Sequence, residues 1–319
     1  MDWILLIEQM MPQMLMVAAP IMIAGLGGIM SERSGIVNIA LEGIMLFGAF
    51  AAGAIVILFE SFGWFRQAPW LSLVVAAIAG GVFSLVLALS TITFSADHTI
   101  AGTAVNLLAA GLTVYFTQII FQQQRSVAYK RGFRKMTLPY LSEIPVIGGL
   151  FRNIYPTIFI ALALVLVIWF VLFKTPYGLR LRSCGENPHA SASMGIDVIK
   201  MRYSAVFISG LLAGLAGGAI VLTVDTQFTA VSIHGLGFIA VAAVIFGKWN
   251  PFGLLGASLF FGLSQTIGVY ANDIPIIQQL PNQLFSALPY IMTVIALVVF
   301  RGKSSAPKAA GDIYDVSKR

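Results

Sequence analysis

GLRLRSCGENPHASASMGID, residues 178–197, is a polar and basic stretch set between two long apolar runs. It contains every signal for one very short helix. Asn187 has a side chain that accepts a hydrogen bond from the free backbone N–H groups at a helix start. Pro188 follows at the first helical position, where no N–H is needed and the ring pre-sets φ. HASASM continues the helix, and Gly195 supplies a stop that tolerates positive φ. About seven residues make a helix of roughly 10 Å, too short to hold itself together in water. The segment must dock on something, and Ala190, Ser191, Ala192 and Ser193 are small enough for a groove. A coupling element that waits for a partner has this form; packing against its own chain is the competing explanation.

The flanking runs decide the class. Of the 319 residues 58% are hydrophobic and 10% charged, with a mean hydropathy of +0.90. Soluble domains carry about 25% charged residues. So few charges cannot cover a water-soluble surface of this size, which leaves an all-α integral membrane protein, a polytopic helical bundle. With about 20 apolar residues per crossing, spans fall near 11–30, 36–59, 70–92, 100–121, 155–173, 204–224, 251–270 and 284–300. A further run, 235–247, is short and reads as a tilted or re-entrant helix. The expectation is about eight to ten transmembrane helices, some of them broken or re-entrant. Pro20 and Pro289 mark candidate kinks. One membrane domain covers 1–303, with a loop at 174–203, and 304–319 is a cytoplasmic C-terminal tail. MDWILLIEQMM lacks the basic start and cleavage site of a signal peptide.

Lys and Arg set the orientation. Loop 174–203 holds Lys174, Arg180, Arg182, Lys200 and Arg202, and more basic residues follow position 300, so both belong in the cytoplasm. Counting 235–247 as a crossing puts Asp225 and Asp273 outside and Lys248 inside. Residues 122–154 resist the rule: Arg125, Lys130, Arg131, Arg134, Lys135 and Arg152 fall outside unless IPVIGGLF (144–151) dips into the membrane. The net charge of +6 fits basic loops facing anionic lipid, and does not call for nucleic acid. Gly210, Gly214 and Gly218 form a small-xxx-small ladder, which points to packing within the chain more than to a subunit interface.

Within those spans only Glu42 is charged. A carboxylate there costs a few kcal/mol and faces a partner, a cavity or water. Asn38 lies one turn earlier, at i and i+4 on the same helix face, and Gly43 would permit a helix break. Thr103 and Asn106 make a second polar pair, three residues apart. Each set either lines a solute path or ties helices together. Asn250 and Pro251 in KWNPFG start another helix, while His98 and His234 have no metal-ligand spacing. No GxxxxGK[ST] phosphate loop occurs, and RGKSS near the end lacks its first Gly, with Leu297 in that place. Nothing in the chain points to ATP hydrolysis, to a resident cofactor or to any enzyme chemistry.

Four further blocks complete a resemblance: SERSGIVNIALEGIMLFGAF (31–50), DHTIAGTAVNLLAAGLT (97–113), GFIAVAAVIFGKWNPFGLLGASLFFG (237–262) and LPYIMTVIALVVFRGK (288–303). Together with 178–197 they resemble permeases of ABC importers for branched-chain amino acids, simple sugars and nucleosides. NIALEG and FGKWNP look most like the nucleoside branch, of the guanosine and purine type. The resemblance implies a type II importer fold in a bacterial plasma membrane. It also implies ATPase subunits that hold ATP and Mg, a second related permease, and an extracellular substrate-binding lipoprotein. Gly185, Glu186, Asn187, Pro188, His189, Ala190 and Gly195 would couple the chain to the ATPase. Asn38, Glu42, Thr103 and Asn106 are the candidates for the path. Ser183 and Cys184 replace a more usual small apolar pair. A permease for a sugar or amino acid, or an ion-coupled transporter acting alone, are the alternatives.

Overall fold

The computed structural model describes residues 3–137, 139, 147–270 and 306–315. The expected span 284–300, Pro289, Asp273 and the run RGKSS lie outside the described residues. Ten α-helices occur among those described: α1 Trp3–Glu32, α2 Leu41–Ser61, α3 Ala68–Ala88, α4 His98–Phe121, α5 Pro156–Lys174, α6 Pro176–Glu186, α7 Pro188–Ser193, α8 Val198–Thr223, α9 Leu236–Phe246 and α10 Pro251–Val269. Seven are long and apolar enough to cross a membrane, and α9 is a shorter apolar helix. The all-α, multi-pass fold expected from hydropathy is the fold observed. α1 is longer than its apolar run suggested and carries Pro12 and Pro20 inside it. Loop 174–203 holds two helices where one was expected, because α6 is amphipathic and short and leaves no hydropathy signal.

α8 is the hub, flanked by α1, α2 and α3. In α1 and α8, 78% of the most apolar window is buried, against 22% in α4 and 33% in α5, which lie at the rim. Lipid provides no hydrophobic drive between helices, so close backbone approach has to supply the attraction. The glycine ladder does this within the chain, against α3 and α2. A Cβ on Gly214 would sit 2.3 Å from the Ala76 carbonyl oxygen, and one on Gly217 only 1.9 Å from that of Met45. Ser84 reinforces the α3 contact by donating from Oγ to the Val206 carbonyl at 3.1 Å.

α8 has 26 residues and is therefore about 39 Å long, which separates two ends of the bundle. α6 and α7 lie at its start. At the far end the 125–136 loop pairs with the chain leaving α8: Ser126 N donates to Phe228 O at 3.0 Å and Phe133 N to Leu222 O at 2.9 Å. Glu60, at the end of α2, accepts from Lys130 N and Arg131 N. Arg152 pairs with Glu8 at 2.7 Å. The basic loop is thus opposite the α6–α7 end, as the span count required. Residues 147–151 form a 3₁₀ turn against the start of α1, where Gly149 lies close enough that a Cβ would fall 2.7 Å from the Glu8 carbonyl oxygen.

Of the two readings of 235–247, a short helix that completes a crossing is the one the contacts support. The chain is tied to the far end at Thr226, whose carbonyl accepts from Tyr129 N, and reaches the other end at Trp249. Residues 225–247 therefore complete a crossing as an irregular leg followed by α9. α9 is only about 16 Å long, because Gly235, at φ +80, begins it partway through the bundle.

Candidate functional site

The α6–α7 end is built from caps. Asn187 is extended (φ −154, ψ 95) and breaks the chain between the two helices. Its N–H closes α6 on Ser183 O at 2.9 Å, while its Oδ1 accepts from Ala190 N at 3.0 Å to open α7. Gly195 has φ +82, and Asp197 starts α8 by accepting from Lys200 N at 3.0 Å. That hydrogen bond holds the exposed Asp197 carboxyl below its usual range. Pro188 and Ser191 are buried against the protein. Glu186, Asn187, Ala190, Ser193, Met194 and Gly195 are exposed, Met194 to 83%. The expected coupling residues therefore divide into an outward strip and an inner anchor. Gly185 belongs to the anchor: a Cβ there would lie 2.3 Å from the Arg33 carbonyl oxygen. His189 is half-buried, its ring centroid 5.1 Å from that of Tyr314.

That contact belongs to the C-terminal tail, which packs back on α6 and α8. Ala309 N donates to Gly185 O at 2.9 Å and Gly311 N to Gly35 O at 3.0 Å. Arg202 donates from Nη1 to Asp312 O at 3.3 Å and lies over the Tyr314 ring. Arg202, one of the basic residues assigned to loop 174–203, is 1% exposed and falls inside α8. Its position one turn past the Asp197 cap was the available signal. Glu32 was missed likewise, because it lies just beyond the expected first span. Its carboxylate accepts from Trp249 Nε1 at 2.5 Å, and the neighbouring Arg33 donates to Trp249 O from Nη2 at 3.1 Å. Burial, and then the charge of Arg182, pull the Arg33 guanidinium below its ordinary value. Glu42 is therefore not the sole charge within the crossing helices.

Three of the four polar path candidates, Asn38, Glu42 and Asn106, meet around the start of α2. Glu42 is in the first turn, and its two carboxylate oxygens accept from Gly235 N at 2.9 Å and Gly237 N at 2.7 Å. It caps α9, satisfying N–H groups that a helix start inside the bundle leaves free, where the helix dipole favours a negative charge. Asn38 does not share a helix face with it, because residues 36–38 are irregular and α2 begins only at Leu41. Asn38 instead donates from Nδ2 to Ser209 Oγ at 2.9 Å, and its buried Oδ1 has no partner among the described residues. Gly43 does not break α2. It permits α4 to approach, since a Cβ would lie 2.7 Å from Asn106 Cα. Asn106 clamps the same spot, accepting from Gly43 N at 2.7 Å and donating to Ile39 O at 3.0 Å. Thr103 is exposed, and its hydroxyl turns back to the carbonyls of Thr99 and Ile100. Three of the four residues thus tie elements together and Thr103 faces outward. KWNPFG behaves as expected: Asn250 Oδ1 accepts from Phe252 N at 2.9 Å with Pro251 at the first helical position.

A family model described as branched-chain amino acid transport system / permease component matches residues 10–297. This chain belongs to that family. The permease is 45% identical to the guanosine ABC transporter permease protein NupQ of Bacillus subtilis, over all of both chains. It is 42% identical to the nucleoside ABC transporter permease protein NupC of Lactococcus lactis, over 96% of each. A second Bacillus subtilis protein, the guanosine ABC transporter permease protein NupP, is 27% identical over 90% of the permease and 78% of its own length. The resemblance drawn from sequence blocks is the one these alignments bear out, and the permease is a multi-pass membrane transport subunit.

Proposed function

We propose that the permease carries nucleosides as the membrane subunit of an ATP-driven importer. The observation that carries this reading is the full-length 45% identity to a guanosine permease. On this account the α6–α7 end faces the cytoplasm of a bacterium, where the exposed strip of α7 meets an ATPase that holds ATP and Mg. A second, non-identical permease completes the path, as the likeness to two guanosine permeases of one Bacillus suggests. A substrate-binding lipoprotein delivers solute at the far end.

Force applied to α7 has a continuous route inward. Gly185 abuts Arg33, Arg33 and Glu32 grip Trp249 just beyond α9, and the start of α9 is held by Glu42 of α2. Tilting α7 would move α1, α9 and α2 as packed bodies, the kind of shift that alternates access. A nucleoside is neutral and flat, and is recognised by a few hydrogen-bonding groups and ring faces. Asn38, whose buried Oδ1 has no partner among the described residues, and the exposed Thr103 offer the former, and Phe238, exposed at the start of α9, offers the latter. Proteoliposomes containing the permease, its partner permease and the ATPase should take up labelled guanosine only with ATP. Uptake that glucose or leucine suppresses as strongly as unlabelled guanosine would assign the sugar or amino-acid alternative instead.

A further inference from the structure

The outward basic loop, which the charge rule leaves unexplained, surrounds a cavity of suitable chemistry. At the far end, loop 62–67 and loop 125–136 meet around an open cavity of about 580 Å³, walled by Arg66, Arg131, Arg134, Phe65, Trp70 and Phe133. No carboxylate lines it. Neither ion pair found among the described residues involves these arginines. Glu60 faces the backbone instead and fixes the loop by accepting from Lys130 N at 2.9 Å and Arg131 N at 2.7 Å. Arg131 lies over the Phe65 ring at 5.7 Å, and Trp70 meets Phe133 edge-on at 4.8 Å.

The cavity sits where crossing helices begin, since its lining includes Pro69 in the first turn of α3 and Pro156 at the start of α5. From its mouth an exposed apolar row runs down α3 through Trp70, Val74, Ile78 and Val82. Twelve residues of helix rise about 18 Å, close to the half-thickness of a hydrocarbon core of about 30 Å. Guanidinium groups are the preferred partners of phosphate oxygens, and Trp belongs at the headgroup level. We propose that this cavity binds the phosphodiester headgroup of an anionic phospholipid in the far-end leaflet, with an acyl chain along the α3 row. An acidic protein surface would use the arginines but leave the apolar row uncovered, and so would free phosphate. The site gives the outward charge of the loop a function: it binds a lipid.

Native mass spectrometry of the permease released from nanodiscs of mixed phosphatidylglycerol and phosphatidylcholine tests the assignment. The intact chain should retain phosphatidylglycerol in preference to phosphatidylcholine. The double variant Arg66→Gln, Arg134→Gln should lose that retention about 30-fold, which corresponds to about 1 kcal/mol per basic residue at a membrane surface. Lys130→Gln, exposed and outside the lining, should retain it. Equal retention of the two lipids by the unaltered chain would overturn the proposal without recourse to any variant. So would displacement of the lipid by inorganic phosphate, which would make this a free-anion site. Capture of a soluble substrate-binding protein that needs Arg66 and Arg134, with lipid retention unaffected by their loss, would make it a protein-docking face.

Discussion

Replacing Glu42 separates a residue that holds helices from one that handles solute. Its two oxygens accept from the N–H groups of Gly235 and Gly237, at 2.9 and 2.7 Å. Hydrogen bonds to a charged group contribute about 1.5–3 kcal/mol each, and an orphaned buried N–H adds its own desolvation cost. Glu42→Ala leaves both donors unmet at a helix start inside the bundle, a loss of about 3–5 kcal/mol. Glu42→Gln keeps one acceptor oxygen and turns an NH₂ group toward the second donor, so roughly half that loss is expected. Glu42→Asp is too short to span both donors and should fall between the two. Unfolding of the three variants in nanodiscs, followed by tryptophan fluorescence against the unaltered chain, gives the ranking. A Glu42→Gln permease of unchanged stability but abolished transport would refute the reasoning, because the carboxylate would then serve solute or an ion.

Gly214→Ala should destabilise the bundle by about 1–3 kcal/mol through overpacking of α3 on α8, whereas Gly111→Ala, with open space around it, should be neutral in the same unfolding assay. Asn187→Ala removes the cap shared by α6 and α7 at a cost of about 1 kcal/mol, so ATP-driven uptake should fall while Asn187→Asp retains it. Cys184 is buried and burial raises its thiol pKa, so alkylation by maleimide near neutral pH should be slow in the folded permease and fast after denaturation. Truncation after Lys308 removes the bond from Ala309 N to Gly185 and the Asp312 carbonyl that accepts from Arg202, and should speed that alkylation measurably.

Hydropathy and helix-capping rules made the architecture and α7 legible. Asn187, Pro188, Gly195, Asn250 and Pro251 act locally, through their own φ or their nearest N–H groups, so their roles can be read from spacing. The glycine ladder was legible for the same reason, since its period defines a face before any partner is known. Partner choice was not. Asn38 and Glu42 are four apart, but the chain between them is irregular, and the Glu42 partners lie 193 and 195 residues away. Arg202 and Glu32 lie at span boundaries, where charge counting treats them as solvated and tertiary contacts decide otherwise. The tail contact joins backbone bonds from Ala309 and Gly311, which carry no side-chain signature, to the Tyr314 ring, whose partners His189 and Arg202 lie more than a hundred residues away.

The central claim is that an external ATPase drives this chain through α7. Guanosine uptake and ATP hydrolysis, measured together in one proteoliposome preparation, test it most directly. The account predicts uptake that stops without ATP, with Glu186→Ala, Asn187→Ala cutting uptake while the complex stays assembled. Uptake by the permease alone, driven by an ion gradient, would contradict it.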